Sequence, residues 1–119
     1  MTQKIALITG GSRGLGRNAA LHLARKGVDV ILTYHSKFAD AQEVVTEITA
    51  LGRKAVALQL DVADSKTFPA FVQTVQAELK NFWQRDTFDY LVNNAGTGVH
   101  ASFMETTEEQ FDQMVNIHL

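Results

Sequence analysis

Two kinds of hydrophobic run alternate along this chain. Ile5 to Thr9 is a short unbroken apolar stretch closed by Gly10, the pattern of a strand buried on both faces. From Leu15 the spacing turns helical: Leu15, Ala19, Leu23 and Ala20, Ala24 recur until a basic turn and a glycine stop at Lys26-Gly27. Val28 to Thr33 predicts a second strand. Ala41, Val44, Val45, Ile48 and Leu51 then repeat at helical spacing, Gly52 ends them, and Ala55 to Leu60 reads as a third strand. A third helix carries Phe68, Phe71, Val72, Val75, Leu79 and Phe82 on one face, with Pro69 near its start, where a missing N–H costs least. After a long exit from Asn81 to Thr87, Phe88 to Val92 predicts strand four. Thr107-Glu108-Glu109-Gln110 reads as a capping box opening a helix that includes Phe111, Met114, Val115 and His118, and the sequence stops inside it.

Strands alternating with helices at this spacing predict βαβ units, whose right-handed crossovers give one parallel sheet with helices on both faces. The expected fold class is α/β, a Rossmann-like doubly wound parallel sheet, here its N-terminal half only, with four strands alternating with helices. One domain over residues 1–119 is expected, incomplete at its C-terminal end, because strand four needs a neighbour and the last helix has no C-cap. No linker, repeat or low-complexity segment interrupts it.

Composition narrows the partners. The 119 residues are 45% hydrophobic and 20% charged, and 11 basic against 13 acidic residues leave a net charge of -2. That balance gives no broad field for nucleic acid or an anionic membrane, so a small-molecule partner is expected. Without cysteine there are no disulfides or thiolate–zinc sites, and the four histidines show no metal-ligand spacing. The N-terminus lacks the features of a signal peptide and no apolar run reaches membrane-spanning length, which makes the cytoplasm the default.

The chemistry is concentrated in Thr9-Gly10-Gly11-Ser12-Arg13-Gly14-Leu15-Gly16, between the first strand and the first helix. A helix start has unpaired N–H groups and a partial positive charge, and glycine lets a phosphate come close to them. Gly10 suits the sharp turn, Gly14 leaves the pyrophosphate side open, and Gly16 lets the helix sit tightly on the sheet. Ser12 and Arg13 add a hydroxyl and a cation. A phosphate-loop triphosphatase is the rival reading, since Gly11-x-x-x-x-Gly16-Arg17-Asn18 nearly matches its loop. Asn18, however, lacks the magnesium-binding hydroxyl, and Arg17 stands where the phosphate-holding lysine belongs.

The spacing Thr-Gly-x-x-x-Gly-x-Gly resembles that of the short-chain dehydrogenase/reductase family. Asn93-Asn94-Ala95-Gly96 is similar to that family's motif after strand four, Asp61-Val62 to its adenine-contacting pair, and Asn116 to its catalytic-helix asparagine. These motifs run in the family's order over essentially the whole chain. The resemblance implies an NAD(P)(H)-dependent oxidoreductase that moves hydride between nicotinamide and a carbonyl or alcohol carbon. It also implies cofactor contacts from Gly10, Ser12, Arg13, Gly14, Leu15, Gly16, Asn93, Asn94, Ala95 and Gly96, and a homo-oligomer, dimer or tetramer, for the complete protein. Thr97 to Ser102 follows the last cofactor motif, where it would line the substrate mouth.

An NAD enzyme places a carboxylate at the end of its second strand, about 20 residues past the glycine loop, to bond the ribose hydroxyls. Here that place is Tyr34, followed by His35 and Ser36, with Lys37 next, so no acid repels a 2′-phosphate. With Arg13 these residues favour NADP(H) over NAD(H). Asp29 lies too early to serve. In the resembling family a tyrosine and lysine spaced Tyr-x-x-x-Lys move the proton, but Tyr34 is followed four residues on by Phe38 and Tyr90 by Asn94. Of the catalytic group only Asn116 is identifiable. General acid–base work needs a tuned group at the substrate oxygen, so the chain as written is not expected to turn over. The favoured reading is the front part of a longer reductase; the alternative is a shortened, non-catalytic dinucleotide-binding module.

Overall fold

A computed structural model describes residues 3–10, 14–61, 65–93 and 115–118. The first strand, β1 (Ile5–Thr9), is buried along its whole length because it lies in the middle of the sheet with helices on both faces. Its side chains alternate: Ile5 and Leu7 enter one core, Ala6 and Ile8 the other. The remaining elements in chain order are α1 (Gly14–Arg25), β2 (Asp29–Tyr34), α2 (Phe38–Ala50), β3 (Ala55–Gln59), α3 (Phe68–Glu78), β4 (Phe88–Asn93) and β5 (Val115–His118). All pairings are parallel, in the order β3-β2-β1-β4-β5, so the crossover from β3 to β4 carries the chain past β2 and β1. That is the doubly wound arrangement expected from the alternation of runs.

Each core has its own helices. One face gathers Ala20, Leu21 and Ala24 of α1 with Ala41, Val44 and Ile48 of α2 over Ile8, Val30 and Leu32. The other gathers Phe68, Phe71, Val72 and Val75 of α3 over Leu7, Ile31 and Leu91. The expected glycine stop of α1 is present: Gly27 has φ +90°, and the N–H groups of Gly27 and Val28 bond back to Ala24 and Leu23. Gly52 ends α2 in the same way.

Three expectations are corrected. Leu15 is 77% exposed and takes no part in the core, because the inward face of α1 runs through Gly16, Ala20, Leu21 and Ala24 and leaves Leu15 to one side. Phe82 is 47% exposed, while its neighbour Trp83 is buried. After α3 the backbone widens into a π turn, Leu79–Trp83, and the extra residue advances the inward face by one position. The helix expected to include Val115 and His118 is instead β5, in register Phe88↔Val115 and Tyr90↔Ile117. Val115 and Ile117 are β-branched, and the outer edge of β4 offers a row of backbone groups to pair with. The capping box at 107–110, with Phe111 and Met114, lies outside the described residues.

The long exit from Asn81 to Thr87 builds a polar cluster at the amino-terminal end of the sheet. Arg85 donates to Asp89 at 2.9 Å, to the Gln3 carbonyl at 2.7 Å and to Thr87 at 3.1 Å. Asp89, 2% exposed, also accepts the Ile5 N–H at 2.8 Å. Asp29, 4% exposed, accepts the Lys54 N–H at 2.9 Å and the Trp83 indole N–H at 2.7 Å. Two buried carboxylates are thereby satisfied by strand-end amides and a cation. Asp29 opens β2, a strand's length from the end where the glycine turn sits.

Candidate functional site

At the carboxyl edge of the sheet β1 gives way to Gly10, with φ +67°, and Gly14, with φ +58°, is the first residue of α1. Both angles are in the left-handed region, where a side chain is costly, so the glycines at these positions are required by the backbone. Gly16 is buried, which brings α1 against the sheet. The first turn of α1 holds no acidic residue, so nothing on the helix itself competes for an anion at its positive end. A Cβ built on Gly14 would meet none of the described residues within 4 Å. Arg17, one turn in, is tied away in an ion pair with Glu47 of α2. Ser12 and Arg13 lie outside the described residues.

The adjacent exits of β2 and β3 are tied together. Tyr34, the last residue of β2, accepts the Leu60 N–H at 2.9 Å, and the Gln59 amide donates to the His35 carbonyl at 3.0 Å. His35 Nε2 stands 3.5 Å from Asp61 Oδ2, an ion pair whenever the imidazole is protonated. The Tyr34 ring meets Phe38 edge-on at 5.6 Å between centroids. His35, Ser36 and Lys37 are exposed. Between this edge and α3 opens a cavity of about 480 Å³, lined by His35, Leu58, Leu60, Asp61, Phe71 and Thr74 among others. Its volume is within the range of small-molecule sites.

Asn93 ends β4 in register with Thr9, so the strand-four motif begins beside the glycine turn. Gly10, Tyr34, His35, Asp61 and Asn93 therefore share one edge of the sheet, the end at which doubly wound sheets bind ligands. Val62, Asn94, Ala95 and Gly96 lie outside the described residues. Asn116 is not brought to this edge. On β5 it falls between Val115 and Ile117, level with Asp89 of β4, roughly 13 Å short of Asn93 at the rise of a strand.

Two residues at this edge escaped the sequence reading. Thr33, 2% exposed, accepts the Gly10 N–H on its hydroxyl at 2.9 Å, and Gln59 holds the loop after β2. The signal for Thr33 was a polar residue following the apolar run Val30-Ile31-Leu32 near the end of a buried strand. Among the described residues no group of three or more His, Asp or Glu is placed to hold a metal ion, and no helix is long and apolar enough to cross a membrane.

The residues present fit a dinucleotide: a glycine turn with positive φ, a helix start free of acid, and an adjoining cavity at the exits of β2 and β3. Residues 4–119 match the family model described as short chain dehydrogenase. The chain is 38% identical over 118 residues to the hydroxynaphthalene reductase-like protein Arp2 of Metarhizium robertsii, covering 99% of this chain and 42% of that protein. A short chain dehydrogenase from Burkholderia cenocepacia, solved in complex with NADP, is 32% identical with a TM-score of 0.79, over 96% of this chain and 51% of that one. A metagenomic short-chain oxidoreductase in complex with NADP is 34% identical with a TM-score of 0.69, over 82% of this chain and 41% of that one. The chain spans about two fifths of the length of the curated relatives it matches.

Proposed function

This chain belongs to the short-chain dehydrogenase family, and on that footing we propose that it supplies the cofactor-binding half of an NADP(H)-dependent oxidoreductase acting on a small carbonyl or alcohol substrate. The observation that carries the reading is the pair of positive-φ glycines, Gly10 at +67° after β1 and Gly14 at +58° opening α1, at the carboxyl edge of a parallel sheet. In this reading the N–H groups at the start of α1, with Ser12 and Arg13, hold the pyrophosphate, and Gly10, Gly14, Leu15 and Gly16 form its bed. Asp61 and Val62 border the adenine, and Asn93 to Gly96 the nicotinamide ribose. Arg13, with His35, Ser36 and Lys37, supplies positive charge and donors to the 2′-phosphate, and Tyr34 stands where an acid would repel it.

When bound, the dinucleotide supplies or accepts hydride. The chain's own residues bind and orient it. None of the described residues forms a Tyr-x-x-x-Lys pair, and the sequence contains none, so proton transfer to the substrate is assigned to residues outside this stretch. The relay role of Asn116 rests on the family resemblance alone, because β5 carries it level with Asp89 rather than at the mouth. A dimer or tetramer of the complete protein belongs to the same reading. So does a cytoplasmic location.

Fluorescence titration tests the cofactor assignment. NADPH should bind more tightly than NADH; the reverse order overturns the NADP(H) preference, and no binding of either removes the dinucleotide reading. The missing tyrosine and lysine keep a second reading in view, a dinucleotide-binding module without catalysis. Translating the coding sequence past Leu119 separates the two, since a serine followed by Tyr-x-x-x-Lys is needed for the oxidoreductase.

A further inference from the structure

We infer that His35 selects for the 2′-phosphate by taking up a proton from solvent, with Asp61 as the positioning residue that makes the proton necessary. The inference rests on the NADP(H) reading proposed above, which puts the 2′-phosphate at the end of β2. The loop that carries the imidazole is fastened to the exit of β3 at two points. The Gln59 amide donates to the His35 carbonyl at 3.0 Å, and the Leu60 N–H donates to the Tyr34 carbonyl at 2.9 Å. Nε2 of His35 then stands 3.5 Å from Asp61 Oδ2, and both residues line the cavity of about 480 Å³ beside α3. The His35 side chain is 70% exposed, so a ligand arriving from solvent reaches it.

A neutral imidazole has one N–H and one lone pair. Beside a carboxylate the hydrogen belongs on Nε2, which leaves the lone pair on Nδ1. A phosphate oxygen is itself an acceptor and gains nothing from that lone pair. The protonated ring donates from both nitrogens, one to Asp61 and one to the phosphate, and its charge lies between two anions. Whenever the ring is neutral, binding of the 2′-phosphate therefore draws a proton onto it. NADH has a hydroxyl in place of that phosphate and exerts no such pull. The charged and titratable groups of the neighbouring elements are Tyr34 at the end of β2, Lys37 and Asp40 at the start of α2, and Lys66 in the turn Ser65–Thr67, while α3 presents Phe71 and Thr74 to the cavity. His35 is the histidine of this group, the side-chain type that ordinarily changes charge between about pH 5 and 8. Substituting His35 alone separates its titration from theirs.

Fluorescence titration of the chain with NADPH and with NADH from about pH 6.5 to 8.5 tests this, a range above the second ionisation of a phosphate monoester at about pH 6. NADPH affinity should fall about threefold to fivefold across the range as the ring loses its proton, the size of one exposed charge contact, while NADH affinity holds within about 1.5-fold. His35→Gln should abolish the slope, and His35→Lys, charged throughout, should keep NADPH binding tight at both ends. Calorimetry in two buffers of different ionisation enthalpy should show proton uptake with NADPH and none with NADH. That uptake should vanish in His35→Gln and shrink in Asp61→Asn, where the neutral ring is free to turn its one N–H to the phosphate. An NADPH-to-NADH affinity ratio that does not change with pH, a slope retained in His35→Gln, or undiminished uptake in Asp61→Asn overturns the inference and leaves the NADP(H) reading standing. Tighter binding of NADH than of NADPH at every pH, or no binding of either, overturns both.

Discussion

Asp29 and Asp89 are the buried charges of this sheet among the described residues, and each is held where a strand begins. The guanidinium of Arg85 lies against Asp89 at 2.9 Å with its side chain only 16% exposed, so little water screens the pair. Removing one partner of such a pair strands the other charge. Asp89→Ala should therefore destabilise the chain by about 3 kcal/mol, the lower end for a buried pair because Arg85 retains the Gln3 carbonyl and a path to water. Asp89→Asn should lose less, since its amide oxygen still accepts the Ile5 N–H. Urea denaturation of both variants checks the order. Trp83→Phe keeps the ring in its core and removes one donor from Asp29, for an expected loss of about 2 kcal/mol in the same measurement. All three changes lie at the amino-terminal end of the strands, so NADPH affinity should be unchanged at temperatures where the variants are folded.

At the scale of elements, the π turn explains both an error of reading and an opportunity. A repeat of 3.6 placed Phe82 on the buried face of the third helix, but the wider turn hands that position to Trp83, whose indole N–H then reaches Asp29. The turn closes on Gln84 at φ +52°, a left-handed conformation that costs a residue with a Cβ about 1 kcal/mol or more. Gln84→Gly should stabilise the chain by about 0.5–1 kcal/mol after glycine's larger entropy loss is counted, visible as a higher urea midpoint. Gly14→Ala should act oppositely. Among the described residues no atom stands within 4 Å of the new methyl, so the cost is the backbone's, about 1 kcal/mol, and it falls on the start of α1. NADPH binding to that variant should weaken in fluorescence titration. Most elements were legible because their signals are local: an unbroken apolar run closed by Gly10, and helical repeats stopped by Gly27 and Gly52. What was not legible depends on distant partners. Val115 to His118 pairs with β4 across more than twenty residues of chain, and Thr33 meets Gly10 only because the strands are in register.

Taken whole, the sheet has two ends with different work. The amino-terminal end holds Asp29 and Trp83, and Asp89 and Arg85, in hydrogen bonds, while the carboxyl end carries Gly10, Tyr34, His35, Asp61 and Asn93, with His35 and Asp61 lining a cavity. In the proposed reading cofactor choice belongs to the second end, at Tyr34. The residue closes β2, is half-buried against Phe38, and occupies the place where a carboxylate would accept ribose hydroxyls and repel a 2′-phosphate. Tyr34→Asp puts that carboxylate there. Like charges about 6 Å apart in surroundings of intermediate screening cost on the order of 2–3 kcal/mol, so NADPH affinity should fall by about thirtyfold or more. NADH carries no 2′-phosphate, and its affinity should hold or rise as the aspartate takes up the ribose hydroxyls. Loss of the Tyr34–Phe38 contact should cost the fold about 1 kcal/mol, which urea denaturation measures separately from binding. Paired fluorescence titrations of NADPH and NADH should show the preference reversed, and retention of the NADPH preference would move the 2′-phosphate away from the end of β2.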